Sequence, residues 1–323
     1  MQFHLIDTHP GSPIDTALEC TLFQSEAWMN FVAEAQSAVP VVAEIREGVD
    51  RIGWFTGLIV KKFGFRILGS PFPGWTTSYM GFNLAPGVSR PDALGALIMF
   101  SRKHLKCIHL EIMDRYLTLD DVRSAGCHYR LFTGFEVDMS GDEEAIWSNM
   151  APSTRRNIRK AEREGVRVEV AADDAFAQEY YEQLSEVFAR QQLKPTYPLE
   201  RVRLLLKHLL PTGRILCLRA FRPDGTCVAT GIFPADWSRM YFWGGASRAE
   251  SRILRPNEAI QWYAMRYWRD RGVNKYDMGG GGEYKRKYGG VPVAVPWVRH
   301  SHLPFLETLR GAAQRLVSLR QRL

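Results

Sequence analysis

The sequence predicts a mixed α/β fold in two domains, and three observations carry that expectation. At 323 residues the chain exceeds the span of one ordinary core and suits two. Each half repeats one coarse order of signals, a helix, an antiparallel meander, then helix and strand, without obvious sequence identity. Charge divides along the same line. Residues 1–150 hold 12 Lys and Arg against 18 Asp and Glu, net −6, and residues 151–323 hold 30 against 17, net +13. That polarity points to an anionic ligand for the second half: a nucleotide, a coenzyme, a nucleic acid or a lipid headgroup.

The first half is read in chain order. Ser25 can cap a helix over Glu26–Ala35, with Trp28, Phe31 and Val32 on one face. Val41–Arg46 and Trp54–Lys61 pair as strands across the polar turn Glu47–Arg51, and Phe65–Leu68 continues as strand. The Pro/Gly-rich loop Gly69–Tyr79 follows. Pro91–Lys106 is an amphipathic helix with proline in its first turn, then Cys107–Met113 and Phe132–Asp138 are strands. The boundary is set near Ser140–Pro152, where an acidic helix, Asp142–Met150, ends at Pro152. The expected domains are therefore 1–150 and 151–323.

In the second half Ser153 caps a helix over Thr154–Glu164 that stops at Gly165. Strand Val166–Val170 and helices Ala175–Gln192 and Leu199–Leu209 come next. Strands Arg214–Phe221 and Cys227–Pro234 flank a Pro-Asp-Gly turn. Strand Met240–Gly245, helix Asn257–Arg271 and strand Asn274–Met278 lead to Gly279–Gly282. The five cysteines are odd in number and lack zinc or C-x-x-C spacing, so they read as reduced thiols. Met1–Ala17 has no apolar signal core, and no run approaches the roughly 18 apolar residues of a membrane span, which makes the cytoplasm the expected compartment.

Four places can carry chemistry. In the stretch M-G-G-G-G-E-Y-K-R-K-Y-G-G, Lys285, Arg286 and Lys287 stand among six glycines, as a bared backbone for close approach of a phosphate-bearing ligand would require. The alternative is a flexible loop with solvated lysines. In T-R-R-N-I-R-K-A-E-R-E, Arg155, Arg159 and Arg163 share a helix face with Arg156 and Lys160 beside them. Cations near a helix N-terminus oppose the macrodipole, so an anion that neutralises them is favoured over a solvated face paired with Glu162 and Glu164. Arg252, Arg255 and Asn257 precede or open the next helix, where a pyrophosphate can be cradled. Trp75 and Tyr79 lie in the loop Gly69–Tyr79, where exposed aromatics can stack on a sugar or base; the alternative is that Trp75 plugs the cleft between the domains. No G-x-S-x-G, H-E-x-x-H or P-loop pattern is present, and the eight histidines, His300 and His302 included, show no metal spacing.

These residues resemble a family. A-P-S-T-R-R-N-I-R-K-A-E-R-E-G-V (Ala151–Val166), R-P-N-E-A-I-Q-W-Y-A-M-R-Y-W-R-D-R-G-V-N-K-Y-D-M-G (Arg255–Gly279), E-Y-K-R-K-Y-G-G (Glu283–Gly290) and F-Q-S-E-A-W (Phe23–Trp28) are similar, in order and spacing, to motifs of the FemAB-like acyltransferases. The resemblance implies two tandem GNAT-like domains. It implies transfer of an aminoacyl group from a charged tRNA, or an acyl group from acyl-CoA or an acyl carrier, to an amine of a peptidoglycan, polysaccharide or lipid-linked precursor, with no tightly bound cofactor. Arg155, Arg156 and Arg159 resemble cations that hold an acceptor diphosphate, and Lys285 the family lysine beside the acyl donor. Met240–Gly245, with Trp243, and Asn274–Met278 resemble two strands that splay to admit the acyl arm. The acyl-CoA signature [RQ]-x-x-G-x-[GA] is absent, since Arg252-Ile253-Leu254-Arg255-Pro256-Asn257 stands in its place.

The expected chemistry is direct aminolysis. A backbone N–H of Met240–Gly245 would stabilise the oxyanion. Lys285 would add charge near the carbonyl or leaving group, and Tyr284 or Tyr288 would return the proton. Asp277 is the nearest carboxylate for proton removal, or else a strand residue holding the glycine loop. A second class is a non-catalytic module for an anionic polymer or membrane. It is supported by Phe305–Leu323, whose Phe305, Leu309, Leu316 and Leu319 oppose Arg310, Arg315, Arg320 and Arg322 and which would give peripheral membrane contact, or else pack on the second domain.

Overall fold

The computed structural model describes residues 1–6 and 20–302, so the expected C-terminal helix lies outside the described residues. The chain divides into two contact units. The first takes in Met1–Leu131 and the chain from Val295 onward, and the second Phe132–Ala294. This differs from the expected division after residue 150. Residues 132–150 join the second unit because the strand before the boundary pairs within it, as described below.

The first unit opens on β1 (Gln2–Leu5) and α1 (Glu26–Gln36). Ser25 Oγ accepts the Trp28 N–H at the start of α1, and Trp28, Phe31 and Val32 are buried, as the apolar spacing predicts. β2 (Val39–Glu47), β3 (Asp50–Lys62) and β4 (Phe65–Ser70) form an antiparallel meander, and β5 (Gly81–Leu84) pairs with the first part of β3. The β3–β4 turn has two residues, Phe63 and Gly64, between the partners Lys62 and Phe65. α2 (Arg90–Lys103) carries Pro91 in its first turn and ends earlier than the periodicity predicts, because Lys106 turns the chain at φ 56° into β6 (Cys107–Met113). β6 lies parallel to β4 and antiparallel to Trp297–Ser301 of the last strand. A short α3 (Leu119–Ser124) was not expected; the Thr118–Asp121 capping box that starts it is legible in the sequence. Phe55, Phe82, Leu94, Leu97, Leu110 and Ile112 centre this core.

In the second unit β7 (His128–Asp138) pairs, from Gly134 on, with a strand more than a hundred residues later, and α4 (Glu143–Asn149) and α5 (Pro152–Arg163) follow it. α5 begins one residue before the expected cap. Pro152 takes the first helical position and Ser153 lies inside the helix, so no side chain caps it. β8 (Arg167–Ala171), α6 (Ala175–Ala189), α7 (Leu199–Leu209), β9 (Ile215–Phe221) and β10 (Cys227–Pro234) match their sequence signals closely. Cys217 stands opposite Ile232 and Cys227 opposite Phe221, so the two thiols do not face each other.

The expected strand Met240–Gly245 is two strands, β11 (Arg239–Tyr241) and β12 (Gly244–Ser247), in different sheets. β12 closes an antiparallel sheet of order β12-β10-β9-β8. α8 (Pro256–Arg269) packs on β9 and β10 through Ile260, Ala264, Met265 and Trp268, whose Nε1 donates to the Phe233 carbonyl. β13 (Lys275–Gly280) runs parallel to β11 and antiparallel to β7, with Asp138 opposite Lys275 and Glu136 opposite Asp277. A 3-10 turn, Glu283–Tyr288, leads into β14 (Val291–Ser301).

Candidate active site

The site is built where β11 leaves β13. Their parallel register ends at Tyr241 opposite Asp277, and the Phe242 N–H still donates to the Asp277 carbonyl at 2.9 Å. One residue later the Trp243 N–H donates instead to the Ile232 carbonyl of β10, and β12 continues on β10. The chain changes sheets within two residues, and β13 runs on toward its glycines. Gly244, at the divergence, has a packing reason to be glycine: a Cβ there would overlap the Tyr180 hydroxyl. Tyr180 is fully buried, its hydroxyl shares a 2.9 Å hydrogen bond with that of Tyr197, and the Trp243 ring lies 5.2 Å from that of Tyr197. Burial holds both phenols above the ordinary tyrosine range, Tyr197 at about 12. Trp243, expected as a binding residue, is thus the half-buried wall of an aromatic group from α6, the segment before α7, and the divergence. Sequence reasoning missed Tyr180, because an aromatic inside an amphipathic helix reads as core, and Tyr197, because nothing local in the segment before α7 pairs it with Tyr180.

The glycine run has a conformational cause. Gly279, Gly281 and Gly282 have φ of 70°, 70° and 76°, and a Cβ on Gly279 or Gly281 would meet nothing within 4 Å. Close approach of another backbone is therefore not what selects them. Nor does Lys285 stand as a free cation at the loop mouth. It is 5% exposed, and its Nζ donates to the carbonyls of Gly279 at 3.2 Å and Gly280 at 2.7 Å. Desolvation lowers its pKa, against the attraction of Asp277. Two of its three N–H groups are used, and the third has no partner among the described residues. Asp277 is buried, and its Oδ1 accepts the Gly279 N–H at 2.7 Å, so it holds the start of the glycine turn. Tyr284 is half exposed, with its pKa raised by burial. Tyr288 is buried in the core, where desolvation raises its pKa far more. Of the two phenols, Tyr284 is the one that solvent and a ligand reach. Arg286 pairs with Glu283 at 2.6 Å.

α5 begins beside this turn: the Ala151 N–H donates to the Lys287 carbonyl at 2.9 Å. Thr154, Ile158 and Ala161 face inward, and Asn157 donates to Glu258 of α8 at 2.9 Å. Arg155, Arg156, Lys160 and Arg163 make no ion pair among the described residues, so Glu162 and Glu164 do not neutralise them. Arg159 differs from its neighbours. Its guanidinium lies 5.3 Å over Trp147, which packs on Trp262 with Arg266 beyond it.

At the start of α8, Arg255 adopts φ 61° and Pro256 opens the helix. Arg252 and Arg255 are exposed, and Asn257 donates to Ser247 Oγ at 3.0 Å, tying the helix start to β12. Trp75 and Tyr79 belong to the first unit. Trp75 is half-buried against Phe72 at 4.8 Å. Tyr79 is 2% exposed, packed near Phe23 and under Arg115, which corrects its reading as an exposed loop aromatic. A cavity lined by Met139, Ser140, Asp270 and Asn274 lies at the far end of β13 from the glycine turn and holds none of the expected site residues. Among the described residues no group of three His, Cys, Asp or Glu could hold a metal, and no helix is long and apolar enough to cross a membrane.

Residues 148–287 match the family described as acetyltransferase (GNAT) domain. Among solved structures the chain is similar to FemX at 13% identity and TM-score 0.73, over 95% of this chain and 99% of that one. It is similar to a tandem GNAT protein from the clavulanic acid biosynthesis pathway at 11% identity and TM-score 0.52, over 83% and 85%. It is also similar to the C-terminal domain of a putative lysylphosphatidylglycerol synthetase from Agrobacterium fabrum at 12% identity and TM-score 0.51, over 77% and 81%. No curated protein sequence matches. The fold is mixed α/β of the tandem GNAT kind.

Proposed function

We propose that this chain, an acyltransferase with a GNAT acetyltransferase domain over residues 148–287, moves an acyl or aminoacyl group onto an amine of an anionic cell-envelope or polysaccharide precursor. The observation that carries the reading is the divergence of β11 and β13. It leaves an opening between two strands of one unit, with the Phe242–Trp243 link on one side and the Lys285 turn at the end of the other. An ester or thioester carbonyl lying there meets the Lys285 ammonium, anchored before the reaction on two glycine carbonyls, and a fixed donor contributes roughly 3–4 kcal/mol at a developing oxyanion.

In this reading the acceptor amine attacks the carbonyl carbon, and the C–O or C–S bond to the donor breaks as the C–N bond forms. Lys285, anchored on two glycine carbonyls, offers its remaining N–H to the oxyanion or to the leaving atom. Tyr284, protonated at the start because its pKa is raised, gives its proton to the leaving atom and takes up in its place the proton that the amine nitrogen loses as the C–N bond forms. Arg155 and Arg156, which make no ion pair among the described residues, hold the acceptor's phosphate. Arg252 and Arg255, at the start of α8, hold the donor's phosphate. Acyl-CoA is the usual donor of a GNAT domain; aminoacyl-tRNA, which the FemAB-like resemblance also implies, and an acyl carrier are the other candidates. Of the expected site residues outside this set, Asp277, Tyr288, Arg159 and Asn257 hold or pack the machinery.

Native mass spectrometry of the purified protein with acyl-CoA, acyl-carrier and aminoacyl-tRNA mixtures tests the proposal. Retention of one donor, followed by its deacylation when an amine-bearing envelope precursor is added, supports it. A protein that retains none and deacylates none refutes it.

A further inference from the structure

The turn between β3 and β4 carries a phenylalanine where turn chemistry asks for asparagine. Phe63 and Gly64 are its two central residues, with φ of 52° and 80°. A two-residue hairpin loop with positive φ at both positions favours Asn-Gly, and a bulky side chain in the left-handed region is an outlier. The aromatic ring gains nothing within the fold to offset this, since Phe63 is 98% exposed. Phe65, across the turn from Lys62, is half exposed as well. The tip also projects. β2 begins at Val39, opposite Ile59, so the last residues of β3 and the first of β4 extend past that strand.

Cations surround the two rings. Lys61 and Lys62 are exposed on the hairpin. Arg66 stands opposite Cys107, which places the exposed Lys106 beside Phe65. Arg102, in the last turn of α2, acts electrostatically on His302, whose N–H donates to Ile108, so it belongs to the same end of the sheet. From Arg51 to Leu110 there are eight Lys and Arg and a single acid, Asp92, which sits in the opposite, first turn of α2. This segregation occurs in a half of the chain that is net acidic.

We infer that the Phe63 hairpin tip docks this protein on an anionic lipid surface, with the Phe63 and Phe65 rings in the headgroup–acyl boundary and Lys61, Lys62 and Lys106 on lipid phosphates. Exposed apolar rings flanked by cations suit that interface. The positive ring of side chains complements the negative potential of anionic lipid, and a projecting two-ring knob enters fluid acyl chains without a matching recess. This inference does not depend on the transfer chemistry.

Cosedimentation with phosphatidylcholine vesicles, with and without phosphatidylglycerol, tests it on the full chain. The wild type is expected to bind only the anionic vesicles. Phe63→Asn should weaken that binding about tenfold, while its melting temperature stays level or rises, because Asn-Gly suits the turn. Lys62→Gln should weaken it about fivefold. A Phe63→Trp variant should show a blue shift of the introduced indole's emission on adding anionic vesicles. Undiminished binding by Phe63→Asn, or binding indifferent to lipid charge, overturns the inference. So does an indole shift that follows protein concentration without lipid, which would mark contact between copies.

Discussion

Replacing Gly244 by alanine would drive a methyl group into the Tyr180 hydroxyl. Neither party yields easily. Tyr180 is fully buried and bonded to Tyr197, and the main chain at residue 244 is held in register with Ile232. Overpacking of a filled site costs about 1–3 kcal/mol. If Tyr180 swings away, the Tyr197 hydroxyl is left buried without its partner, a further cost of about 1–3 kcal/mol. Where one movement relieves part of the other, Gly244→Ala should destabilise the second unit by about 2–4 kcal/mol, which lowers its melting temperature by roughly 5–15 °C. The assay is thermal unfolding followed by tryptophan fluorescence, in wild-type and Tyr180→Phe backgrounds. Tyr180→Phe removes the clashing oxygen, so Gly244→Ala should cost under about 1 kcal/mol there, and the cycle should show coupling of about 2 kcal/mol. Equal costs in both backgrounds would refute the packing argument. Turnover is an independent readout: main chain displaced at the divergence should lower kcat even in molecules that stay folded.

Lys285→Ala should reduce turnover by about a hundredfold or more if its ammonium serves the oxyanion, and wild-type turnover would remove it from the mechanism. Because desolvation lowers the Lys285 pKa, its charge is lost at a pH below the ordinary lysine value of 10.5. The alkaline fall in kcat/KM should therefore begin below that value, and Lys285→Arg, where active, should move it upward. Arg155→Ala and Arg156→Ala should raise the acceptor KM about tenfold each with little change in kcat, whereas Arg159→Ala should act mainly on thermal stability; steady-state kinetics with the acceptor varied separates them. His302 is pushed down to about 4 by burial, by His300, by Arg102 and by His109. Its neutral form is the one the fold accepts, so stability should fall as pH drops from about 6.5 toward 4. His302→Gln should flatten that slope by about 1 kcal/mol, a modest figure because the ring is only partly shielded.

Much of the fold was legible because periodicity and punctuation agree locally. Cys107–Met113, Leu199–Leu209 and Cys227–Pro234 fall where apolar runs and turn residues place them. The break between β11 and β12 was not, because M-Y-F-W-G-G reads as one strand. The change of partner depends on Ile232 and Asp277, which local pattern does not reveal. Lys285 was found by its motif, yet its direction is set by a 3-10 turn that folds its stem back over Gly279 and Gly280. The positive φ values of the glycine run and the burial of Tyr79 are tertiary outcomes in the same sense. The arginines of α5 were legible as a cluster. That Arg159 is stacked on Trp147 needed the position of α4.

The last strand has a consequence for biosynthesis. β6 has Trp297–Ser301 as its antiparallel neighbour, so the first unit lacks one of its own strands until Ser301 has been made. At about 5–20 residues per second, the stretch between Leu131 and Val295 occupies the ribosome for roughly 10–30 seconds. Throughout that interval one side of β6 offers bare peptide groups to any passing strand. A nascent chain stalled before Val295 should be more prone to aggregate than the finished protein, even though all of Met1–Leu131 has been synthesised.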